Sequence, residues 1–239
     1  MQRWQIHHKD LTRSTNLDAR GGRPWDVFTA SFQTAGRGRL DHKWVSSPNT
    51  NLAMSIVLPV GDLSPEHVST LPLAIGLSVA DALSPATGGL CRIKWPNDIL
   101  VRGKKISGIL CEKDSDNVIA GIGVNILEKT FPEEFSSRAT SLALLGCEKS
   151  FLSIERVRDA VLSCVSNVFD EWKEGAFACI YERVALLDEL KGTKVTLIQT
   201  DDDRAPVQGI SGGIQIDGSL DVGGVSFFAG EAHIEKIDR

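Results

Sequence analysis

A surplus of positive charge is missing from this chain. Its 239 residues carry 26 Lys and Arg against 31 Asp and Glu, a net charge of −5. General nucleic-acid binding draws on a basic excess, so that class is set aside. No apolar run is expected to reach the ~18 residues of a membrane span. The opening Met1-Gln2-Arg3-Trp4-Gln5 has no apolar h-region, so no secretory signal is expected. Metal spacing is also missing. None of the five cysteines (Cys91, Cys111, Cys147, Cys164, Cys179) forms a C-x-x-C pair, and no H-E-x-x-H occurs. Their odd count and apolar settings suit buried free thiols in a reducing cytoplasm better than disulfides. His7-His8 reads as packed or solvent-facing rather than ligating. There is no internal repeat, no G-x-x-x-x-G-K-S/T phosphate loop, and no complete dinucleotide G-x-G-x-x-G.

What is present is enough for a globular fold. Hydrophobic residues make up 42% and charged residues 24%, which supports a sizeable core. The length allows between one and two domains at about 150 residues each. Short strands are predicted at Trp4–His8, Val27–Gln33, Leu52–Leu58, Cys91–Lys94, Ile99–Val101, Lys105–Cys111 and Val118–Ile126. Thr15 and Asp18 are spaced as a capping box for a helix opening at Ser14-Thr15-Asn16. Ser64-Pro65-Glu66 should start a helix running to about Leu83. From Ser153 to Glu174 apolar residues recur at helical spacing, and a further helix is expected over Phe177–Leu187. Beyond Asp188 the pattern becomes short strands with Gly and Asp turns: Lys194–Gln199, Ala205–Ser211, Gly213–Ile216, Leu220–Val222 and Ala232–Ile237. The expected fold is α+β, a mixed or antiparallel sheet flanked by helices, followed by a small C-terminal β-barrel. Residues 1–188 form the first domain and 189–239 the second; about 50 residues rarely stabilise themselves, so the second should pack on the first.

Four segments carry the chemistry. In Gln33-Thr34-Ala35-Gly36-Arg37-Gly38-Arg39, two glycines alternate with two arginines directly after a strand. Glycines let backbone approach a ligand, and guanidinium forks suit phosphate or carboxylate. Alone, the segment would equally suit a solvated basic loop. Lys94-Trp95-Pro96-Asn97-Asp98 sets a cation, an indole, an amide and a carboxylate on a shaped connection between strands; alone, it could be a strand-ending turn. Lys104-Lys105-Ile106-Ser107-Gly108-Ile109-Leu110 places a lysine at a strand mouth and a glycine within it, as for close ligand approach. Gly121-Ile122-Gly123-Val124-Asn125 interrupts a strand twice, which a bulge would also explain. Gly209-Ile210-Ser211-Gly212-Gly213 matches the hydrolase G-x-S-x-G, but a strand rather than a helix should follow it, so the match is set aside.

In this order, these segments resemble the biotin protein ligases, or holocarboxylase synthetases, over nearly the whole chain. The resemblance implies a class II synthetase-like catalytic domain and an SH3-like C-terminal barrel. It implies an enzyme that joins biotin to ATP as biotinyl-5′-adenylate, with Mg²⁺, and passes biotin to a lysine of a carboxylase's biotin carboxyl carrier domain. By position it implies biotin contacts from Ser14, Thr15, Asn16, Gln33, Gly36, Arg37, Gly38, Arg39, Lys105, Gly108, Leu110 and Gly121. ATP or adenylate contacts would come from Arg37, Arg39, Trp44, Lys94, Asn97 and Asn125. Lys105, Arg39 and Asp98 would be catalytic, with Asp98 facing the magnesium or the incoming lysine. A cytoplasmic location, no membrane or nucleic-acid partner, and room for a homodimer belong to the same expectation.

Two departures stand out. Many bacterial members continue the loop with further Arg and Gly after the position of Arg39, whereas here it runs Leu40-Asp41-His42-Lys43-Trp44. His42 and Lys43 are the candidates to substitute for the missing cations. The family's repressor members carry an N-terminal DNA-binding domain, and here the first motif begins at Ser14, so operator binding is not expected. Lipoate or octanoate ligases share the general fold but typically show an Arg-Arg-x-Ser-Gly-Gly-Gly stretch, absent here. A non-catalytic biotin sensor would have no need of Lys105, Asp98 and Arg39 together.

Overall fold

The computed structural model describes residues 4–40, 42–199 and 205–235. Strand β1 (Gln5–Thr12) leads through the short helix α1 (Thr15–Asp18) to β2 (Asp26–Gln33) and β3 (Asn51–Pro59). Helices α2 (Pro65–Ser69) and α3 (Leu71–Thr87) follow, then the meander β4 (Cys91–Lys94), β5 (Asp98–Val101), β6 (Lys104–Asp114) and β7 (Asn117–Asn125). These seven strands form one sheet in the order β1-β2-β3-β7-β6-β5-β4. The β1–β2 pair is parallel and the other ladders are antiparallel, so the expected mixed sheet is present. Asp41, the acid noted in the sequence loop, lies outside the described residues, as do residues 236–237 of the last expected strand.

β3 sits mid-sheet between β2 and β7, and every residue from Asn51 to Leu58 is buried. That explains its nearly continuous apolar run, interrupted only by Ser55 between Leu52 and Leu58. On one face, α3 packs against β4, β5 and β6 and against α5 (Ile154–Gly175). Ser153 caps α5 by accepting from Arg156 N, and Val157, Val161, Val165, Val168 and Trp172 form its buried stripe. Burying each such aliphatic side chain is worth about 1.5–3 kcal/mol. On the other face α1 covers a small cluster of Ala19, Val57 and Ile119. The remainder of that face is left open. Helix α4 (Glu133–Ser136) precedes α5, and α6 (Tyr181–Leu186) follows it after a short 3-10 turn.

The expected helix from Ser64 to Leu83 is two helices. Ser64 does cap the start, accepting from His67 N. Pro72 then has no N–H to give Val68, so the helix breaks at Thr70 and restarts. Thr70 Oγ1 donates to His67 O at 2.7 Å and accepts from Trp172 Nε1 at 2.8 Å, which ties the break to α5. Together Pro65–Thr87 is long and apolar enough on average to cross a membrane, although Glu66, His67 and Asp81 interrupt the apolar run. Its most apolar window is 61% buried inside this fold, as a core helix would be. The expected capping box at Thr15 is also absent. Ser14 is the N-cap, without a side-chain cap bond, and Thr15 turns to Gln33 instead.

After α6 come β8 (Lys194–Ile198), β9 (Val207–Ile214), β10 (Leu220–Val222), β11 (Val225–Phe227) and β12 (Glu231–Ile234), an antiparallel sheet in the order β11-β10-β9-β8-β12. Two expected strands merge into β9, and β11 was not expected. Nor does the sheet close into a barrel among the described residues. After β11 the chain turns at Gly230, whose φ of +142° suits glycine, and β12 joins the far edge beside β8. Gly209–Gly213 lies within β9 with Ser211 buried, which removes the hydrolase pattern.

The two sheets are joined by backbone and side chains. Ile93 N donates to Leu187 O at 2.7 Å, and Glu189 N donates to Ile93 O at 2.9 Å. Trp95 is buried and donates its indole N–H to Gly218 O at 3.1 Å. The Asp188 carboxylate accepts from Leu190 N and Ile214 N; burial pushes its pKa upward against those bonds.

Candidate functional site

The open face of the large sheet carries a row of small residues. Pairing across strands sets Ala53 of β3 opposite Gly123 of β7, Gly123 opposite Gly108 of β6, Gly108 opposite Asp98 of β5, and Asp98 opposite Lys94 of β4. The next row sets Ser55 opposite Gly121 and Gly121 opposite Leu110. Side chains of directly paired residues share a face, so the glycines floor a trough that ends at a carboxylate. The trough is part of a cleft of about 720 Å³, counting its open mouth.

Larger side chains lie where Cβ atoms would otherwise be. A Cβ on Gly123 would stand 2.5 Å from Trp44 Cε2, and one on Gly121 would overlap the Asn16 amide. A Cβ on Gly108 would meet the end of Lys105 at 2.9 Å and Trp44 at 3.4 Å. The sequence signal of close approach at these glycines is thus satisfied partly by the protein's own side chains.

Residues 34–40 and 42–50 fold over this floor as a tight loop. Gly38 N donates to His42 O, His42 N to Arg39 O, and Trp44 N to Gly36 O, at 2.7, 2.9 and 3.0 Å. Two carboxylates anchor it. Glu112 receives Arg37 Nη1 at 2.9 and 3.0 Å on its two oxygens. Buried Glu128 receives Ser47 N, Ser47 Oγ, Thr50 Oγ1 and Asn51 Nδ2 at 2.9, 3.0, 2.9 and 3.3 Å. The Trp44 Nε1 donor is buried in the site without a protein acceptor among the described residues, so it is open to a polar partner.

One end of the trough is charged. Lys105 Nζ stands 2.6 Å from Asp98 Oδ1. Lys94 flanks Asp98 across β4–β5; burial first, then the neighbouring Lys105, pull its pKa below the usual lysine value, against the attraction of Asp98. Arg39 Nη1 reaches Asn97 Oδ1 and Gly230 O, each at 3.4 Å. Asn97 is itself fixed by donating Nδ2 to Ile109 O at 2.7 Å. From the second sheet Glu231 joins the lining and lies 3.4 Å from His42 Nδ1.

The other end is polar, and the charges it holds, Arg37 and Glu112, are paired with each other. Thr15 N and Thr15 Oγ1 both donate to Gln33 Oε1, at 2.8 and 3.2 Å. A main-chain N–H can only donate, so the Gln33 oxygen must face Thr15, leaving its Nε2 as a donor. Ser55 Oγ, fully buried, lies 2.7 Å from Thr15 Oγ1 and 2.6 Å from Asn16 Oδ1. Neutral donors at one end and cations at the other suit a ligand with a polar neutral head and an anionic tail.

Of the residues singled out in the sequence, Ser14, Thr15, Asn16 and Gln33 line one side, and Arg37, Gly38, Arg39 and Trp44 the roof. Lys105, Gly108, Leu110 and Gly121 line the floor, with Asn97 and Asp98 at the charged end. Gly36, Lys94 and Asn125 lie outside the lining. Gly36 lets the two legs of the loop meet, its carbonyl taking Trp44 N. Asn125 is buried and spends its Nδ2 on Thr140 O at 3.0 Å. His42 and Lys43, the candidate substitutes, do line the cleft. Sequence reasoning missed Ser55, Glu112, Glu128 and Glu231. A lone serine inside the apolar Leu52–Leu58 run was a signal for the first; nothing local marked Glu231.

No group of three or more His, Cys, Asp or Glu able to hold a metal occurs among the described residues. Mg²⁺ is commonly held by one or two carboxylates plus substrate phosphates, and Asp98 at the charged end meets that requirement.

Comparison with known proteins agrees with this geometry. Residues 14–127 match the model of the biotin/lipoate A/B protein ligase family. A biotin–acetyl-CoA-carboxylase ligase of Mycobacterium tuberculosis is 40% identical over 147 residues, 56% of this chain and 53% of that protein. The bifunctional ligase/repressor BirA of Escherichia coli is 28% identical over 220 residues, 88% of this chain and 66% of that protein. The chain thus spans about half the length of the Mycobacterium relative. Among solved structures, the biotin protein ligase of Aquifex aeolicus in complex with biotin and ATP superposes with a TM-score of 0.83 at 28% identity, over 97% of this chain and 99% of that one.

Proposed function

We propose, from the match at residues 14–127 and the fold shared with the Aquifex ligase, that the chain is a member of the biotin/lipoate A/B protein ligase family and acts as an ATP-dependent biotin–carrier-protein ligase. The observation that carries this reading is the glycine-floored trough with neutral donors at one end and Lys105, Asp98 and Arg39 at the other. Biotin has the matching form: an uncharged cyclic urea joined by an alkyl chain to a carboxylate.

In the first half-reaction a biotin carboxylate oxygen attacks the α-phosphorus of ATP. The new P–O bond forms as the bond to pyrophosphate breaks, and pyrophosphate takes the electron pair. Two anions must meet, and Lys105 offsets their repulsion. A unit charge about 4 Å from the reacting oxygens, at an effective dielectric near 20, is worth about 4 kcal/mol, or roughly a thousandfold in rate if specific to the transition state. Asp98 holds the ammonium at the trough end. Arg39, braced by Asn97 and Gly230, offers a planar fork to the phosphates. Magnesium bound beside Asp98 would supply further neutralisation of phosphate charge. No side chain becomes covalently attached; the protein positions reactants and stabilises charge.

In the second half-reaction a neutral lysine amine of a biotin carboxyl carrier domain attacks the biotinyl carbonyl carbon, and AMP leaves. The loop over the trough keeps water from the mixed anhydride. Trp44, whose indole N–H is buried without a protein acceptor, and Asn97 are assigned to the nucleotide. Residues 1–188 form the catalytic unit and 189–239 a second unit that contributes Gly230 and Glu231 to the site. The compartment we infer is the cytoplasm, which supplies ATP and keeps the five cysteines free.

The test is mass spectrometry of a biotin carrier domain after incubation with the protein, ATP, magnesium and either biotin or lipoate. The expected result is one biotinyl addition on one lysine, dependent on ATP. Lipoylation in its place, or biotin binding without pyrophosphate release, would contradict the proposal.

A further inference from the structure

Alternate residues of β6 run along the trough floor. Gly108, paired with Asp98, stands at the charged end; Leu110 follows, and Glu112 comes next on the same face, at the polar end. Each end therefore has a carboxylate matched to a cation: Asp98 to Lys105, and Glu112 to Arg37.

Glu112 does more than pair with one arginine. Its Oε2 accepts from Asn16 Nδ2 at 2.8 Å, and both oxygens accept from Arg37 Nη1. Arg20 Nη2 lies 3.5 Å from Oε1. Asn16 has little left to offer a ligand. Its Oδ1 faces the Ser55 hydroxyl at 2.6 Å, and Nδ2 serves Glu112 and, at 3.4 Å, Leu110 O. So Asn16 acts as a bridge from the buried Ser55 to Glu112, and Glu112 carries that fixed geometry to the loop through Arg37.

We propose that Glu112 is a positioning residue: by holding Asn16 of the pocket wall and Arg37 of the loop on one carboxylate, it seats the loop over bound biotin. The proposal rests on the function inferred above. Arg37 is 41% exposed and Glu112 20%, and ion pairs so placed contribute little to global stability. Their loss should therefore loosen the loop without unfolding the protein. A loop tie made alike in the bound state and at the transition state changes KM rather than kcat.

The experiment is biotin-dependent pyrophosphate–ATP exchange with the wild type, Glu112→Gln, Arg37→Ala and the double variant, together with melting temperatures. Glu112→Gln keeps an acceptor for Asn16 but removes the negative charge that holds Arg37. The biotin KM should rise about tenfold, with the saturated exchange rate within roughly twofold and the melting temperature within about 2 °C. In the Arg37→Ala background the same substitution should add less than about twofold, because its partner is already gone. An unchanged KM in Glu112→Gln overturns the proposal, as does a tenfold effect that persists without Arg37. A joint fall of rate and melting temperature would overturn it too, since that marks a structural role. Absence of biotin-dependent exchange in the wild type would instead overturn the reading on which the proposal rests, and the proposal with it.

Discussion

Gly108 and Gly123 stand directly opposite each other on β6 and β7, and the Trp44 indole lies across both. The absence of two side chains leaves room for this aromatic ring to pack directly on both strands. The two positions differ in what a methyl group would meet, which separates their consequences.

Gly123→Ala should be the more damaging substitution. Its new Cβ would stand 2.5 Å from the rigid Trp44 ring, whereas on Gly108 it would meet the flexible end of Lys105 at 2.9 Å. We expect Gly123→Ala to raise the biotin KM roughly tenfold or more and Gly108→Ala by only a few-fold, since a lysine tip can shift and a packed indole cannot. Exchange kinetics on the two variants check the order; the reverse order would contradict the assigned roof.

Arg39→Gly removes the fork that reaches Asn97 and Gly230. Adenylate should form but dissociate about tenfold faster, so that bystander lysines become biotinylated. Following release of labelled adenylate from the purified complex measures this; a wild-type dissociation rate would remove Arg39 from that role.

Glu128→Ala tests how the loop is anchored at its far leg. Three residues donate to this buried carboxylate, and their donors would be left without partners. The cost should be about 3 kcal/mol, or roughly 6–12 °C in melting temperature for a chain of this size. Calorimetry showing no loss would mean that water or neighbouring groups satisfy those donors.

The Cys111 thiol offers a pH test away from the chemistry. Burial, with Glu112 beside it, pushes its pKa to about 12. Between about pH 9 and 12 the unfolded chain releases this proton and the folded one holds it, so this thiol's contribution makes stability fall as pH rises. In native alkylation at about pH 8, exposed Cys179 should react well ahead of the half-buried Cys111, whose thiol is held protonated. Equal labelling of both would contradict the burial.

Much of this was legible in the sequence, because the informative residues are those whose local pattern is unusual. A lysine at a strand mouth, glycines inside apolar strands and an Arg-Gly alternation after a strand all break ordinary rules, and they meet in one cleft. The meander from Cys91 to Asn125 was readable because its turns carry Gly103 and Ser115 at positive φ. What failed depended on partners far away in the chain. Thr15 as a capping residue lost to its bonds with Gln33 and to Ser55. The single long helix lost to Pro72, whose missing N–H was in plain view, and the break found support from Trp172, 102 residues away. Barrel closure failed for want of a ladder between β11 and β12 among the described residues, although the short connection brings these two edge strands toward each other. Glu112 and Glu231 read as ordinary charges until the fold brought them to the loop.

The role assigned to Lys105, letting two anions react, is checked by biotin-dependent exchange of pyrophosphate into ATP in Lys105→Ala. With the fold intact by melting temperature, exchange should fall about a thousandfold below the wild type. Exchange near the wild-type rate in that variant would contradict it.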